Sequence, residues 1–139
     1  MSEYISETLR QLVEVRAEGR CEYCHLPQTA RLFRFPVDHI IALKHGGPTT
    51  ESNLALACLT CNLHKGSDIA SFDPTTGELT VLYNPRTQQW EYHFEMDWTT
   101  GRIRGKTPEG RTTVQLLRMN HPERIEERLR LSSIGEFVR

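Results

Sequence analysis

The sequence has few apolar residues for its length. Of its 139 residues, 37% are hydrophobic, below the roughly 45–50% of typical domains, a figure that includes glycine. A chain of this length forms one ordinary domain, or a small domain with an appendage. The composition therefore argues against a large apolar interior, and it predicts a further source of stability.

The sequence also lacks an excess of charge of one sign. The formal net charge is −1 and the isoelectric point is near 6.6, which excludes a coat protein that holds nucleic acid by bulk positive charge. Local phosphate contacts remain compatible with this balance. No run approaches the roughly 18 apolar residues of a membrane span, and the start has no basic and apolar signal pattern. We expect a cytoplasmic protein with no membrane partner.

Cysteine is scarce but arranged in a pattern. Its four copies form the pairs Cys21-x-x-Cys24 and Cys58-x-x-Cys61, with thirty-three residues between the pairs. Two disulfides or two redox dithiols are alternatives, although a reducing cytoplasm argues against disulfides. Two such pairs can converge tetrahedrally on zinc. We therefore predict a structural Zn²⁺ held by all four cysteines, and its binding would supply folding free energy.

The first half of the chain alternates helical and strand-like patterns. Residues 6–19 have apolar positions at helical spacing, with a serine cap and a glycine stop. Residues 32–43 and 53–57 are strand-like, and residues 59–65 favour a short helix that ends near Gly66. The sequence therefore predicts two strands and a helix between and beside the cysteine pairs.

The second half has a different pattern. Residues 90–98 alternate five apolar with four polar side chains, which is typical of a strand. Residues 79–83 are expected to pair with that strand, and residues 102–106 to form a third. Helices are predicted over 108–119, where Pro108 suits the first turn, and over 123–131.

The segments around the cysteines carry a further set of residues. Between the pairs lie Asp38-His39-Ile40, the Gly46-Gly47 turn and Asn53-Leu54, and after Cys61 come Asn62, His64, Lys65 and Gly66. In this order and spacing, residues 20–67 resemble the HNH endonucleases, a family of the treble-clef or ββα-metal class.

The resemblance implies a fold for the first half of the chain, and the change of sequence pattern near residues 71–78 divides the chain in two. The resemblance implies an α+β protein with a small, zinc-stabilised ββα-metal (treble-clef) nuclease core. Residues 1–70 would hold this core together with an N-terminal helix. Residues 71–139 would form an extension of antiparallel β-structure and helices, packed on the core.

The residues themselves suit phosphodiester hydrolysis. The reaction needs an activated water, charge neutralisation at phosphorus and a stabilised leaving oxygen. Neutral imidazole is available as a base at cellular pH, and a carboxylate suits a hard divalent cation. The resemblance implies that His39 is the general base and that Asn53 keeps it oriented. It also implies that Asp38 and His64 hold a catalytic metal such as Mg²⁺ or Mn²⁺.

DNA is the partner that the resemblance implies, with RNA as an alternative, and the products would carry 5′-phosphate and 3′-hydroxyl ends. Phosphate contacts are expected from Lys65, Lys44 and Arg34, although each could equally be a solvated surface charge. Two other functions stay open. One is a catalytically silent zinc module that binds nucleic acid or protein, and the other is a thiol-disulfide enzyme, which needs accessible thiols of low pKa.

Overall fold

The computed structural model describes residues 4–138, which divide into two compact units. The first unit comprises residues 4–69 and 84–87, and the second comprises residues 70–83 and 88–138. Each unit combines short antiparallel strands with helices, so the predicted α+β class is confirmed. No helix within residues 4–138 is long and apolar enough to span a membrane.

The first unit opens with helix α1, Glu7–Arg16. Ser6 caps it, because its hydroxyl accepts a hydrogen bond from the Leu9 amide at 3.1 Å, which satisfies one of the unpaired N–H groups of the first turn. Val13 is fully buried, whereas Val15 is exposed, so only one stripe of the helix faces the core. The helix predicted over 6–19 is confirmed.

A strand–strand–helix unit follows. Strand β1, Val37–His39, pairs antiparallel with β2, Leu54–Leu56, so that His39 lies opposite Leu54. All of β2 is buried, which explains its continuous apolar sequence. Helix α2, Leu59–Lys65, begins directly after Cys58. Both strands are shorter than the strand-like segments predicted, since the residues around them form turns and 3₁₀ helices.

The second unit consists of two hairpins and three helices. Strands β3, Ala70–Phe72, and β4, Leu79–Val81, form one hairpin. The short helix α3, Trp90–His93, leads into β5, Phe94–Met96, which pairs with β6, Ile103–Gly105. Helices α4, Pro108–Leu116, and α5, Pro122–Ser133, complete the unit.

Close contact of α4 with β6 and with the end of α3 depends on two glycines. A Cβ atom on Gly105 would overlap the backbone of Arg111, and one on Gly110 would overlap the carbonyl of His93. Only glycine permits the two backbones to approach this closely. Helix α4 corresponds to the helix predicted from Pro108, and its cap is Thr107, whose hydroxyl accepts from the Gly110 amide at 3.0 Å.

The strand predicted over residues 90–98 is wrong for its first half. Trp90 and Phe94 are buried and their ring centroids lie 5.1 Å apart, while Tyr92 is exposed. Residues four apart share a face of a helix as well as of a strand, so the alternation fits both structures here. The pairing predicted for residues 79–83 is also wrong, because β4 pairs with its near neighbour β3 across a short turn.

Candidate nuclease site and zinc centre

The four cysteine side chains converge on one point. Their Sγ atoms all lie within 4.8 Å of one another, and none of the four is in a disulfide. The Cys24 and Cys58 sulfurs are 3.7 Å apart, close to the roughly 3.8 Å that tetrahedral zinc with bonds of about 2.3 Å requires. The donor set and spacing therefore fit a structural zinc ion.

The cysteines lie on two tight turns that point N–H groups at sulfur. The Cys24 amide donates to the Cys21 Sγ at 3.5 Å, and the Cys61 amide donates to the Cys58 Sγ at 3.4 Å. All four cysteines are buried, and burial raises the pKa of the Cys21 and Cys61 thiols well above its ordinary value. Buried thiols of raised pKa do not suit a thiol-disulfide enzyme, whereas a bound cation would stabilise them as thiolates.

Beside the four-cysteine cluster, a cleft of about 340 Å³ opens between β1, the loop that follows it and α2. Three of its residues carry groups useful for hydrolysis, namely Asp38, His39 and Asn62. The complete lining consists of Val37, Asp38, His39, Ala42, Leu43, Lys44, Asn62, Gly66 and Ser67. We refer to this space as the catalytic cleft.

His39 is the last residue of β1 and is partly exposed to the cleft. Its Nε2 atom lies 2.9 Å from the Thr49 Oγ1 atom, a hydrogen-bond distance. The imidazole is therefore held at one nitrogen by the loop that follows β1.

Asp38, one residue earlier, is buried in a polar cluster. The Tyr23 hydroxyl donates to its Oδ2 atom at 2.8 Å, and the Lys65 ammonium lies 3.2 Å from the same oxygen. Burial raises the pKa of Asp38, and the positive charge of Lys65 opposes this rise. Burial and the adjacent carboxylate raise the pKa of Tyr23 well above its usual value, so Tyr23 keeps its proton as the donor.

Asn53 closes the loop between β1 and β2. Its side-chain oxygen accepts from the Ile41 amide at 2.9 Å, and its Nδ2 donates to the Ile41 and Pro48 carbonyls, both at 2.9 Å. Gly47 lies inside this loop, where a Cβ atom would overlap the Ile41 carbonyl. Asn53 thus contacts the loop backbone on both sides of the Gly46-Gly47 turn and does not hydrogen-bond His39 directly.

The face of α2 that approaches β1 carries Asn62 and Lys65, which are three residues apart and lie on the same side of a helix. Lys65 reaches the Asp38 carboxylate, and Asn62 lines the catalytic cleft. His64, two residues from Asn62, is half-buried and is not among the residues that line the cleft. The sequence pattern includes Asn62 but predicts no role for it, although the helical spacing of Asn62 and Lys65 could have singled it out.

The three basic residues expected at phosphates have different surroundings. Lys44 is exposed and lines the cleft. Lys65 is 2% exposed, so its ammonium is enclosed with Asp38 and cannot reach a phosphate in solvent. Arg34 forms ion pairs with Glu7 and Glu14 of α1, so these carboxylates already neutralise its charge.

A comparison with protein-family models matches residues 21–68 to the family described as HNH endonuclease. The matched segment begins at the first zinc cysteine and contains β1, β2, α2 and every residue of the catalytic cleft. A search of curated proteins finds no match to the chain. The match and the four-cysteine cluster confirm the resemblance seen in the sequence, and over residues 21–68 they indicate a nuclease-like or nucleic-acid-binding function.

Proposed function

We propose that the protein is a metal-dependent endonuclease that hydrolyses DNA phosphodiester bonds in the catalytic cleft. The observation that carries the proposal is the meeting of His39, Asp38 and Asn62 in one open cleft beside the zinc centre. An imidazole can act as the general base, and a carboxylate and an amide oxygen beside it can hold a hard cation.

In this proposal His39 is the general base. The oxygen of a water molecule forms a bond to phosphorus, the bond from phosphorus to the 3′-oxygen breaks, and the proton of the water passes to the imidazole. The 3′-oxygen takes a proton from solvent, which gives 5′-phosphate and 3′-hydroxyl ends. Lys44, which is exposed and lines the cleft, contributes positive charge for the phosphate.

A divalent ion such as Mg²⁺ or Mn²⁺ would stabilise charge on the phosphate and on the leaving oxygen. Asp38 and Asn62 are the protein oxygens that could hold it, because both line the cleft. Mg²⁺ keeps several waters and needs only one or two protein ligands, so this pair is sufficient. His64 remains the ligand predicted from the resemblance, but it does not line the cleft.

The division of labour along the chain is part of the proposal. Residues 1–70 carry the nuclease core and residues 71–139 form an extension. The catalytic groups all lie in the core, since all lining residues of the catalytic cleft belong to the first unit.

A second function is a catalytically silent zinc module that binds nucleic acid. The observation that favours it is the engagement of both Asp38 oxygens. Oδ2 is contacted by Tyr23 and Lys65, and Oδ1 lies 3.4 Å from the Lys65 ammonium. If Lys65 occupies this carboxylate permanently, no divalent ion can bind there.

Cleavage of supercoiled plasmid by the zinc-loaded protein separates the two functions. The wild type, His39→Ala and His45→Ala are compared with and without added Mg²⁺ or Mn²⁺. His45 is a matched control because it is an exposed histidine in the same loop and does not line the cleft. Metal-dependent cleavage by the wild type and His45→Ala, but not by His39→Ala, supports the nuclease. DNA binding without cleavage by any of the three supports the silent module.

A further inference from the structure

The His39 side chain hydrogen-bonds Thr49 through one nitrogen of its ring. Nε2 lies 2.9 Å from the Thr49 hydroxyl oxygen. A neutral imidazole has one nitrogen that donates and one that accepts, so the partner of one nitrogen decides the role of the other. Thr49 is therefore placed to choose which nitrogen of His39 can take a proton.

From this contact we infer that Thr49 is a positioning residue that selects Nδ1 of His39 as the proton acceptor. Nε2–H donates to the Thr49 oxygen, which leaves Nδ1 unprotonated. The opposite arrangement, in which the hydroxyl donates to Nε2, puts the proton on Nδ1 and leaves the ring with no acceptor for a water proton. When Nδ1 takes the proton of the attacking water, Nε2–H keeps its hydrogen bond to Thr49.

Asn53 fixes the backbone of the loop directly before Thr49. The Asn53 side chain donates to the carbonyl of Pro48, the residue directly before Thr49, at 2.9 Å. Asn53 also continues into β2, where its neighbour Leu54 lies opposite His39. Asn53 therefore fixes both the strand beside His39 and the loop that carries Thr49. This arrangement shows how Asn53 can orient His39 without a direct hydrogen bond.

The inference rests on the proposed nuclease function, but its first test is independent of cleavage. The tautomer of His39 is read from the ¹⁵N shifts of the ring nitrogens in the zinc-loaded full chain. The sequence has six histidines, and His39→Ala identifies the signals of His39. We expect the Nε2–H tautomer in the wild type and in Thr49→Ser, which keeps a hydroxyl. Thr49→Val, which has similar shape and no hydroxyl, should give a mixture of tautomers.

The second test separates positioning from folding. Thr49→Val should lower kcat by about 10- to 100-fold, as loss of an orienting partner does, with KM little changed. Thr49→Ser should recover most of kcat. Thr50→Val is the matched control, because Thr50 is the exposed neighbour and hydrogen-bonds Ser52 at 3.1 Å, and it should keep the wild-type kcat.

The outcomes distinguish the two hypotheses. A Thr49→Val protein that retains the wild-type tautomer and kcat overturns the role of Thr49 and leaves the nuclease intact. A Nδ1–H tautomer in the wild type also overturns it. If the wild type shows the expected tautomer but no variant or condition gives cleavage, the positioning of the ring stands and the proposed function fails.

Discussion

Lys65 and Asp38 form a buried ion pair at the catalytic cleft, which Asp38 lines. The Lys65 ammonium lies 3.2 Å from the nearer Asp38 oxygen, and the two side chains are 2% and 4% exposed. The same ammonium contacts the backbone carbonyls of His39 and Ile40, at 3.3 Å and 3.0 Å. Lys65 thus links α2 to the end of β1, so this residue supports the site and does not contact a phosphate.

Removal of this ammonium should destabilise the first unit. Breaking a buried pair leaves an uncompensated charge, which costs about 3–5 kcal/mol, and we expect this loss in Lys65→Met by urea denaturation at pH 7. The double variant Lys65→Met with Asp38→Asn should regain much of the lost stability, because the amide carries no charge and still accepts a hydrogen bond from Tyr23. Full stability of Lys65→Met alone would contradict the importance of the pair.

The loss of stability in Lys65→Met should depend on pH. Burial raises the pKa of Asp38, and Lys65 is the largest contribution that opposes the rise. A carboxyl whose pKa is higher in the folded than in the unfolded chain loses stability as pH rises above its ordinary value near 3.9. The Lys65→Met defect should therefore shrink when denaturation is repeated at pH 5, where more of Asp38 is protonated. An equal defect at both pH values would argue against this cause.

Removal of zinc should unfold the first unit. The four buried cysteines converge within 4.8 Å, and unmetallated thiols cannot replace the cross-link that a tetrahedral ion provides. We expect one zinc per chain by elemental analysis, loss of circular dichroism on strong chelation, and thiols that react with a colorimetric reagent only after chelation.

The control for the zinc experiment is His25→Asn. His25 directly follows Cys24 and has a φ of +68°, a conformation that asparagine tolerates, so this variant should keep its zinc. Cys58→Ser should lose it. Thiols that react fully before chelation would instead favour the redox dithiols considered from the sequence.

The four-cysteine cluster was predictable because its chemistry is encoded in short segments. Each Cys-x-x-Cys pair forms one turn, and the donor set of two pairs favours zinc without knowledge of the path between them. The neighbouring Asp38-His39 and Asn53 could also be singled out by spacing. The helix cap Ser6 was predictable for the same reason, because a cap depends only on local sequence.

Two kinds of feature were not predictable from the sequence: which face of a helix packs on its neighbour, and which residues far apart in the chain form a contact. The sequence did not show which face of α2 approaches β1, so a role was predicted for His64 and none for Asn62, the residue that lines the cleft. The alternation from Trp90 onward fits a helix turn as well as a strand. The burial of Lys65 depends on Asp38, which lies 27 residues away along the chain, and a lysine in a short helix is otherwise expected on the surface.

The second unit contains a carboxylate whose pKa is lowered. Arg111 donates to both oxygens of Asp73, at 3.0 Å and 2.7 Å, and the Thr75 amide and Thr76 hydroxyl add two hydrogen bonds. These contacts, with Arg111 the largest cause, lower the pKa of Asp73 to about 2. The ionised side chain therefore holds the turn between β3 and β4 to α4.

Replacement of Arg111 by methionine should return the pKa of Asp73 toward its ordinary value of about 3.9. The pKa of Asp73 is lower in the folded chain than in the unfolded chain. Ionised Asp73 therefore stabilises the fold above about pH 4, and this stabilisation is lost as the pH falls toward 2. A ¹³C titration of the Asp73 carboxyl in wild type and Arg111→Met measures the shift. Arg104→Met is the control, since Arg104 pairs with Glu95 on the surface. Identical titrations in all three proteins would contradict the pairing.

The most direct test of the proposed metal site compares Asn62 with His64. Asn62 lines the catalytic cleft with Asp38, whereas His64 does not, so we expect Asn62→Ala to weaken Mn²⁺ binding and cleavage. The loss should be at least about 10- to 100-fold, the range seen even for groups that only support metal ligands. Asn62→Asp, which keeps an oxygen ligand, should retain binding. Strong loss in His64→Ala with normal binding in Asn62→Ala would reinstate the ligand pair inferred from the sequence, and it would require α2 to turn its other face to the cleft when the metal binds.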